Sequence, residues 1–160
     1  MGVLPEDLKA RIRAYLPRYP RKQAATLPAL HLVHDELRTV SNEAIVEIAK
    51  LLELHPAEVH DAMTFYEFFK TGGEKLGKNR LWVCRGLACF LRGAYEVLDH
   101  CKDKLGVDCG KTTADGKITF EFAECIGACD GAPACLLDDR HPMDVTPEKA
   151  DGLLADSRKA

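Results

Sequence analysis

Four cysteines constrain this chain more than any other feature. Cys84 and Cys89 bracket Arg85-Gly86-Leu87-Ala88, and Cys125 and Cys129 bracket Ile126-Gly127-Ala128, with 35 residues between the two pairs. Each pair follows an apolar run that reads as a β-strand: Arg80-Leu81-Trp82-Val83-Cys84 before the first loop, Ile118 to Ala123 before the second. Each loop contains a glycine, Gly86 or Gly127, which allows the backbone to wrap closely around a ligand. For the four thiols to act together, the fold must bring the ends of two strands side by side.

The chain has seven cysteines in 160 residues, and Met1 to Asp7 has no basic or apolar leader character. An odd cysteine count without a secretory signal favours a metal or redox site over a disulfide framework, and a cytoplasmic location is the expectation. Net charge is −3, with 22 basic and 25 acidic residues scattered along the chain rather than blocked. A nucleic-acid binder would show a basic stripe, so no nucleic-acid partner is expected. No run approaches the roughly 18 apolar residues that mark a bilayer span. Direct membrane insertion is therefore not expected, and any membrane association would be peripheral, through a complex.

The front half reads as helical. Leu8, Ile12 and Leu16 recur every four residues over 5–16, with Pro5 suited to the first helical position. Leu27, Leu30, Val33 and Leu37 predict a second helix over 21–37, with Pro28 as a kink or as the true start. Ser41 caps a third helix, 42–54, and Pro56 opens a fourth that carries Val59, Met63, Tyr66 and Phe69 to the Gly72-Gly73 break. His31 and His34 share a helix face but have no third ligand, so they read as ordinary surface or interface histidines. Phe65, Tyr66, Phe68 and Phe69 read as core packing against the second half. The Gly- and Lys-rich run Thr71 to Asn79 is the expected boundary, giving a helical bundle over 1–77 and an α/β domain over 78–160.

In the back half, a helix from Phe90 to His100 follows the first pair, and Lys102 to Thr113 is polar and irregular. Asp115-Gly116 predicts a hairpin turn into Ile118–Ala123, whose apolar and polar residues alternate like a half-buried strand. Ala134 to Leu137 reads as a buried strand and Met143 to Val145 as an edge strand. Thr146-Pro147 opens a last helix. The order strand, helix, strands, helix predicts a small α/β sandwich of thioredoxin-like type.

Thiolates are soft ligands suited to zinc, Cu(I) or iron–sulfur clusters. A [2Fe–2S] cluster takes four, usually two per iron, and local pairs fit that shape. A four-cysteine zinc site is the nearest competitor, but zinc ribbons usually bring a C-x₂-C pair, and the loops here hold four and three residues. The absence of C-x-x-C also leaves thioredoxin-type dithiol chemistry little support. Cys101, Cys109 and Cys135 are unpaired in local sequence and stay outside the site. Arg85 and Arg92 flank the first pair and divide evenly between solvated side chains and groups that face a partner or raise a cluster's potential.

With C-x₄-C, the 35-residue gap and Cys125-Ile126-Gly127-Ala128-Cys129 before Ala132-Pro133, the chain resembles the thioredoxin-like [2Fe–2S] subunit family of NADH:quinone oxidoreductase. That family is shared with NAD-reducing hydrogenases, NAD-dependent formate dehydrogenases and electron-bifurcating complexes. Leu27-Pro28-Ala29-Leu30-His31, Thr64-Phe65-Tyr66 and Cys89-Phe90-Leu91-Arg92-Gly93-Ala94 extend the resemblance over about residues 20–157. Ala134-Cys135-Leu136-Leu137 departs from the family's Val- or Ile-rich strand but removes no ligand.

The resemblance implies one [2Fe–2S] cluster held by Cys84, Cys89, Cys125 and Cys129. It also implies a flavoprotein partner with FMN, an NAD(H) site and a [4Fe–4S] cluster, alongside further iron–sulfur subunits. The chain itself would be a non-catalytic electron-transfer subunit. The residues agree with that division, since there is no G-x-G-x-x-G, P-loop or nucleophile–base pair. A free-standing thioredoxin-like ferredoxin and a zinc-stapled interaction module are the alternatives.

Overall fold

The computed structural model describes residues 2–159. The chain divides into two compact units, Met1–Lys75 and Leu76–Ala160.

The first unit holds helices α1 (Glu6–Arg13), α2 (Thr26–Leu37), α3 (Asn42–Leu52) and α4 (Pro56–Phe65). Their apolar faces meet in one core, where Leu8, Ile12, Leu30, Val33, Ile48, Leu52 and Met63 are buried. α1 is shorter than its periodicity predicts, and Pro5 is its cap rather than its first residue. Pro17 has no N–H to continue the helix, so the chain tightens into a 3₁₀ turn at Leu16–Arg18. A second 3₁₀ turn, Lys22–Ala25, replaces the first turn predicted for α2. The α-helix starts at Thr26, which puts Pro28 in its first turn, where an amide has no intrahelical partner to lose. The Ser41 side chain accepts from the Ala44 N–H at 3.2 Å and starts α3 as expected. α4 starts at Pro56 with a reciprocal cap, in which Glu58 accepts the His55 N–H at 2.9 Å and His55 Nδ1 accepts that of Ala57 at 3.2 Å.

Two expectations fail at the end of α4. The helix stops at Phe65, and Lys70 is captured by tertiary hydrogen bonds. Lys70 N–H donates to His34 Nε2 at 3.1 Å, and Val40 N–H donates to the Lys70 carbonyl at 2.8 Å. His34 is therefore a buried core residue rather than a surface one, with Phe68 and Phe69 rings 5.3 and 5.4 Å from its own. The aromatic group also splits. Phe69 joins the helical unit's own core and Phe68 packs against it, whereas Phe65 is 80% exposed.

The second unit is a four-stranded mixed sheet in the order β2-β3-β1-β4, with helices against it. Its strands are β1 (Asn79–Cys84), β2 (Lys111–Thr112), β3 (Ile118–Ala123) and β4 (Cys135–Leu137). β1 and β3 run parallel, pairing Leu81 with Phe120 and Cys84 with Ala123. β4 lies antiparallel to β1, and β2 antiparallel to β3. A parallel pair needs a crossover, supplied here by α5 (Leu87–Leu91) and α6 (Ala94–Leu105); α7 (Pro147–Lys159) ends the chain. Leu81, Val83, Ile118, Phe120 and Leu137 share a core with Val97 and Leu98 of α6 and with Leu154 of α7. This mixed α/β arrangement is the thioredoxin-like fold.

Alternation puts Arg80, Trp82 and Glu121 on the sheet's other face. Glu121 Oε2 accepts from both Arg80 Nε and Trp82 Nε1 at 2.5 Å, and the Arg80 guanidinium lies 4.3 Å from the Trp82 ring centroid. Partners of this kind let Glu121 be buried, so β3 is more buried than the half-buried strand its alternation predicts. The single helix expected over 90–100 is two helices, broken where Gly93 adopts φ +93°. Met143 to Val145 forms no strand, because Asp144 takes a left-handed φ of +49°, which interrupts an extended run. Backbone bonds from Asp144 to Gly131 and from Val145 to Pro133 hold the segment instead.

α6 and α7 are joined by Asp151, whose Oδ1 is 2.8 Å from His100 Nε2 and whose Oδ2 is 3.3 Å from Lys104 Nζ. The His100 bond, with Lys104 adding to it against the opposing effect of burial, holds the Asp151 carboxyl below its ordinary 3.8. A depressed folded pKa stabilises fully above the unfolded value, and that contribution is lost as pH falls through the folded one. Asp151→Asn is expected to lower the urea midpoint at neutral pH, with the gap from the parent closing below about pH 4. A gap that stays constant with pH would show that this carboxylate contributes nothing through its ionisation.

Candidate metal centre

The parallel register positions the site. Cys84 is the last residue of β1 and pairs with Ala123, the last residue of β3. Both cysteine loops therefore leave the sheet at the same end, on adjacent strands. Cys89 follows on α5 and is buried, as is Cys84; Cys125 and Cys129 sit on the second loop and are exposed. The loops touch at Gly86, where a Cβ would lie 2.8 Å from the Glu124 carbonyl oxygen and 3.3 Å from Cys125 Cβ. Any side chain at that position would push the loops apart. Gly127 holds φ +79°, a left-handed turn inside the second loop.

The thiols affect one another's charge. Burial, followed by the nearness of Cys84 and Cys129, pushes the Cys89 thiol above its ordinary value, while the Ala134 backbone N–H works in the opposite direction. The Cys129 thiol is pushed up first by Cys125, then by burial and by Cys84. Each thiolate formed here makes the next harder to form, unless positive charge lies among them. That donor set fits a cationic metal core. The space around it is lined by small side chains, with Ala94, Ala128, Ala132 and Ala134 packed about Cys84 and Cys89. Among the described residues no group of three or more His, Cys, Asp or Glu side chains is placed to hold a single metal ion. The arrangement is pairwise, with Cys84 beside Cys89 and Cys125 beside Cys129.

The structure places all four predicted cysteines at one end of the sheet; Cys135 lies at that end too, opposite Val83 on β4, but is buried in the core rather than on either loop. Cys101 and Cys135 lie in the helix–sheet core, where burial pushes both thiols up to about 12. Cys109 is exposed. The helix expected to start near Phe90 instead begins at Leu87 and carries Cys89 itself. Ala94, Ala128 and Ala132 stand in the motifs that carry the resemblance, but their shared packing about Cys84 and Cys89, and the Ala134 amide, gave no signal in the sequence. Both arginines beside the first pair are engaged: Arg85 with Glu124 and Arg92 with the Ala132 carbonyl. A rim of exposed apolar side chains adjoins the first loop, with Leu87 75% and Leu91 72% exposed beside Phe90 and Tyr95.

The family model described as thioredoxin-like [2Fe-2S] ferredoxin matches residues 12–158. The E subunit of NADH-quinone oxidoreductase from Rickettsia bellii (strain RML369-C) is 34% identical over 94% of this chain and 87% of its own. The E 2 subunit of the same enzyme from Rhizobium meliloti (strain 1021) is 32% identical over 96% of this chain and 90% of its own. HndA, a subunit of the NADP-reducing hydrogenase of Solidesulfovibrio fructosivorans, is 29% identical over 97% and 90%. Among solved structures, an NAD+-reducing [NiFe]-hydrogenase in the air-oxidized state superimposes with a TM-score of 0.69 at 21% identity, covering 81% of this chain and 22% of that one. That superposition establishes the fold. With the cysteine loops, the parallel register and a family match over nearly the whole length, the chain belongs to the thioredoxin-like [2Fe–2S] ferredoxin family, whose cofactor is a [2Fe–2S] cluster.

Proposed function

We propose that Cys84, Cys89, Cys125 and Cys129 hold one [2Fe–2S] cluster in a non-catalytic subunit of a multi-subunit NAD(H)-linked oxidoreductase. In this reading the chain passes single electrons to and from the FMN of a flavoprotein partner. The observation that carries it is the set of four free thiols gathered on two touching loops at the carboxyl ends of two parallel strands. When bound, such a cluster takes up and releases one electron at a time. The chain's own residues anchor and insulate it. Cys84 and Cys89 ligate from the buried side, and Cys125 and Cys129 from the exposed side. The Ala134 N–H donates towards the Cys89 sulfur, and the alanine lining limits water on the inner side.

The partner reading rests on two supports. The relatives are named as subunits of NADH-quinone oxidoreductase and of an NADP-reducing hydrogenase. The apolar rim of Leu87, Phe90, Leu91 and Tyr95 is the type of surface that is covered in an assembly, which favours a docked subunit over a free-standing ferredoxin. The partner would be a flavoprotein that binds FMN and NAD(H) and carries a [4Fe–4S] cluster, with further iron–sulfur subunits beyond it. Seven free thiols fit a reducing compartment such as the cytoplasm. Among the described residues no helix is long and apolar enough to cross a membrane, so attachment to one would be through the complex.

Anaerobically purified protein is expected to contain iron and acid-labile sulfide in equal amounts and to bleach reversibly with dithionite. Cys84→Ser and Cys129→Ser should lose or badly perturb the cluster, while Cys101→Ser, Cys109→Ser and Cys135→Ser should retain it. Zinc without sulfide, or loss of the cluster in Cys135→Ser, would overturn the assignment. Leu87→Asp combined with Leu91→Asp should leave the visible spectrum intact and abolish co-purification of the flavoprotein. Undiminished co-purification would remove the rim from the interface.

A further inference from the structure

We propose that Arg85 and Arg92 are positioning residues that strap the second cysteine loop to the first, one at each end of the site; this rests on the ligand set proposed above. Arg85 directly follows Cys84, and Glu124 directly precedes Cys125. Arg85 Nε donates to Glu124 Oε1 at 3.0 Å, and Nη2 donates to the same oxygen. At the other end, Arg92 lies three residues after Cys89 and Ala132 three residues after Cys129. Arg92 Nε donates to the Ala132 carbonyl at 2.6 Å. Its Nη2 lies 3.8 Å from Asp144 Oδ1, and Asp144 in turn donates its own N–H to the Gly131 carbonyl at 2.7 Å. The second cysteine pair is thus bracketed by Glu124 and Ala132, while Arg85 lies just inside the first pair and Arg92 just beyond it.

Backbone bonds join the two loops at their roots, from Cys84 N–H to the Ala134 carbonyl and from Arg85 N–H to the Ala123 carbonyl. Beyond the roots, the spacing between the loops depends on side chains. An exposed ion pair would ordinarily do little to fix it. Arg85 differs because its guanidinium also lies over the Phe122 ring, 3.7 Å from the centroid. The stacked plane orients the fork towards Glu124, which a lysine ammonium cannot reproduce. Arg92 donates a charge-assisted bond to a backbone carbonyl, so it fixes the chain itself rather than a mobile side chain.

This reading differs from one in which the arginines act on the cluster through charge alone. In that case Arg85→Gln and Glu124→Gln would displace the reduction potential in opposite directions and leave the cluster equally well held. A strap predicts that both variants fail in the same way. With the full chain carrying its cluster, loss to a strong iron chelator is followed by visible absorbance. Arg85→Gln and Glu124→Gln are expected to lose the cluster several-fold faster than the parent, and the double variant no faster than either single one. Arg92→Gln is expected to lose it roughly tenfold faster, as removal of a bond from a charged donor implies.

For any variant that does not load, amide hydrogen exchange on the metal-free chain supplies the second measurement. Residues 124–132 should exchange faster while β1 and β3 keep the parent's protection. Loss rates equal to the parent's, or unchanged exchange in that loop, would overturn the proposal. Cys129→Ser in the same series tests the ligand set separately: if that variant keeps its cluster, the ligand reading fails rather than the straps.

Discussion

The parallel pairing of β1 with β3 is the constraint on which the rest depends. In an antiparallel pair, the strand that ends at Cys84 would lie beside the start of its neighbour, and the two cysteine loops would leave opposite ends of the sheet. Parallel register puts Cys84 opposite Ala123, so two loops far apart in sequence become neighbours. A slip of one residue would turn Cys84 to the opposite face and break the site. Both faces of the pair oppose such a slip. On one, Leu81, Val83, Ile118 and Phe120 are buried against α6 and α7. On the other, Arg80 and Trp82 from β1 converge on Glu121 from β3. A slipped strand would expose the first set and leave the buried Glu121 carboxylate without its partners, a costly state for a charged group.

The site by itself disfavours thiolates. Two thiols are buried and two exposed, and each of the perturbed ones is pushed towards its neutral form by burial or by the others. The protein offers partial compensation through the Ala134 N–H, but a single amide cannot offset several thiolates. The irons of the family's [2Fe–2S] cluster, held by the proposed ligands, would supply the missing positive charge. The same terms explain the buried thiols that lie outside the site. Cys101 and Cys135 are held neutral by the helix–sheet core and behave there as small apolar residues.

The parts legible in the sequence are those set by local chemistry. The cap at Ser41, the Pro56 and Pro147 helix starts, the Asp115-Gly116 turn and the strand before each cysteine pair all follow from neighbouring residues. What escaped depends on distant partners. Helical periodicity carries α4 through Phe69, but the helix ends at Phe65 and Lys70 N–H donates to buried His34. Met143 to Val145 has strand-like composition, yet Asp144 turns left-handed and the segment bonds to Gly131 and Pro133. The four cysteines could be selected from seven by spacing and resemblance. The packing of alanines around them and the bond from Arg92 to the Ala132 carbonyl could not, because only the folded crossover brings those groups together.

The two cysteine pairs are also held by different physics. Cys84 belongs to a central strand, and Cys89 to a helix that begins three residues beyond it, so the inner pair inherits the rigidity of the core. Cys125 and Cys129 lie on a loop that ends in a single 3₁₀ turn, with an exposed surface and a left-handed glycine between them. A ligand shared by both pairs would have its position set by the sheet and its retention set by the loop. Solvent and chelator would reach such a ligand from the exposed loop side. The buried pair can therefore stay in place while the exposed loop moves, so the two straps act on the part of the site that the core does not hold.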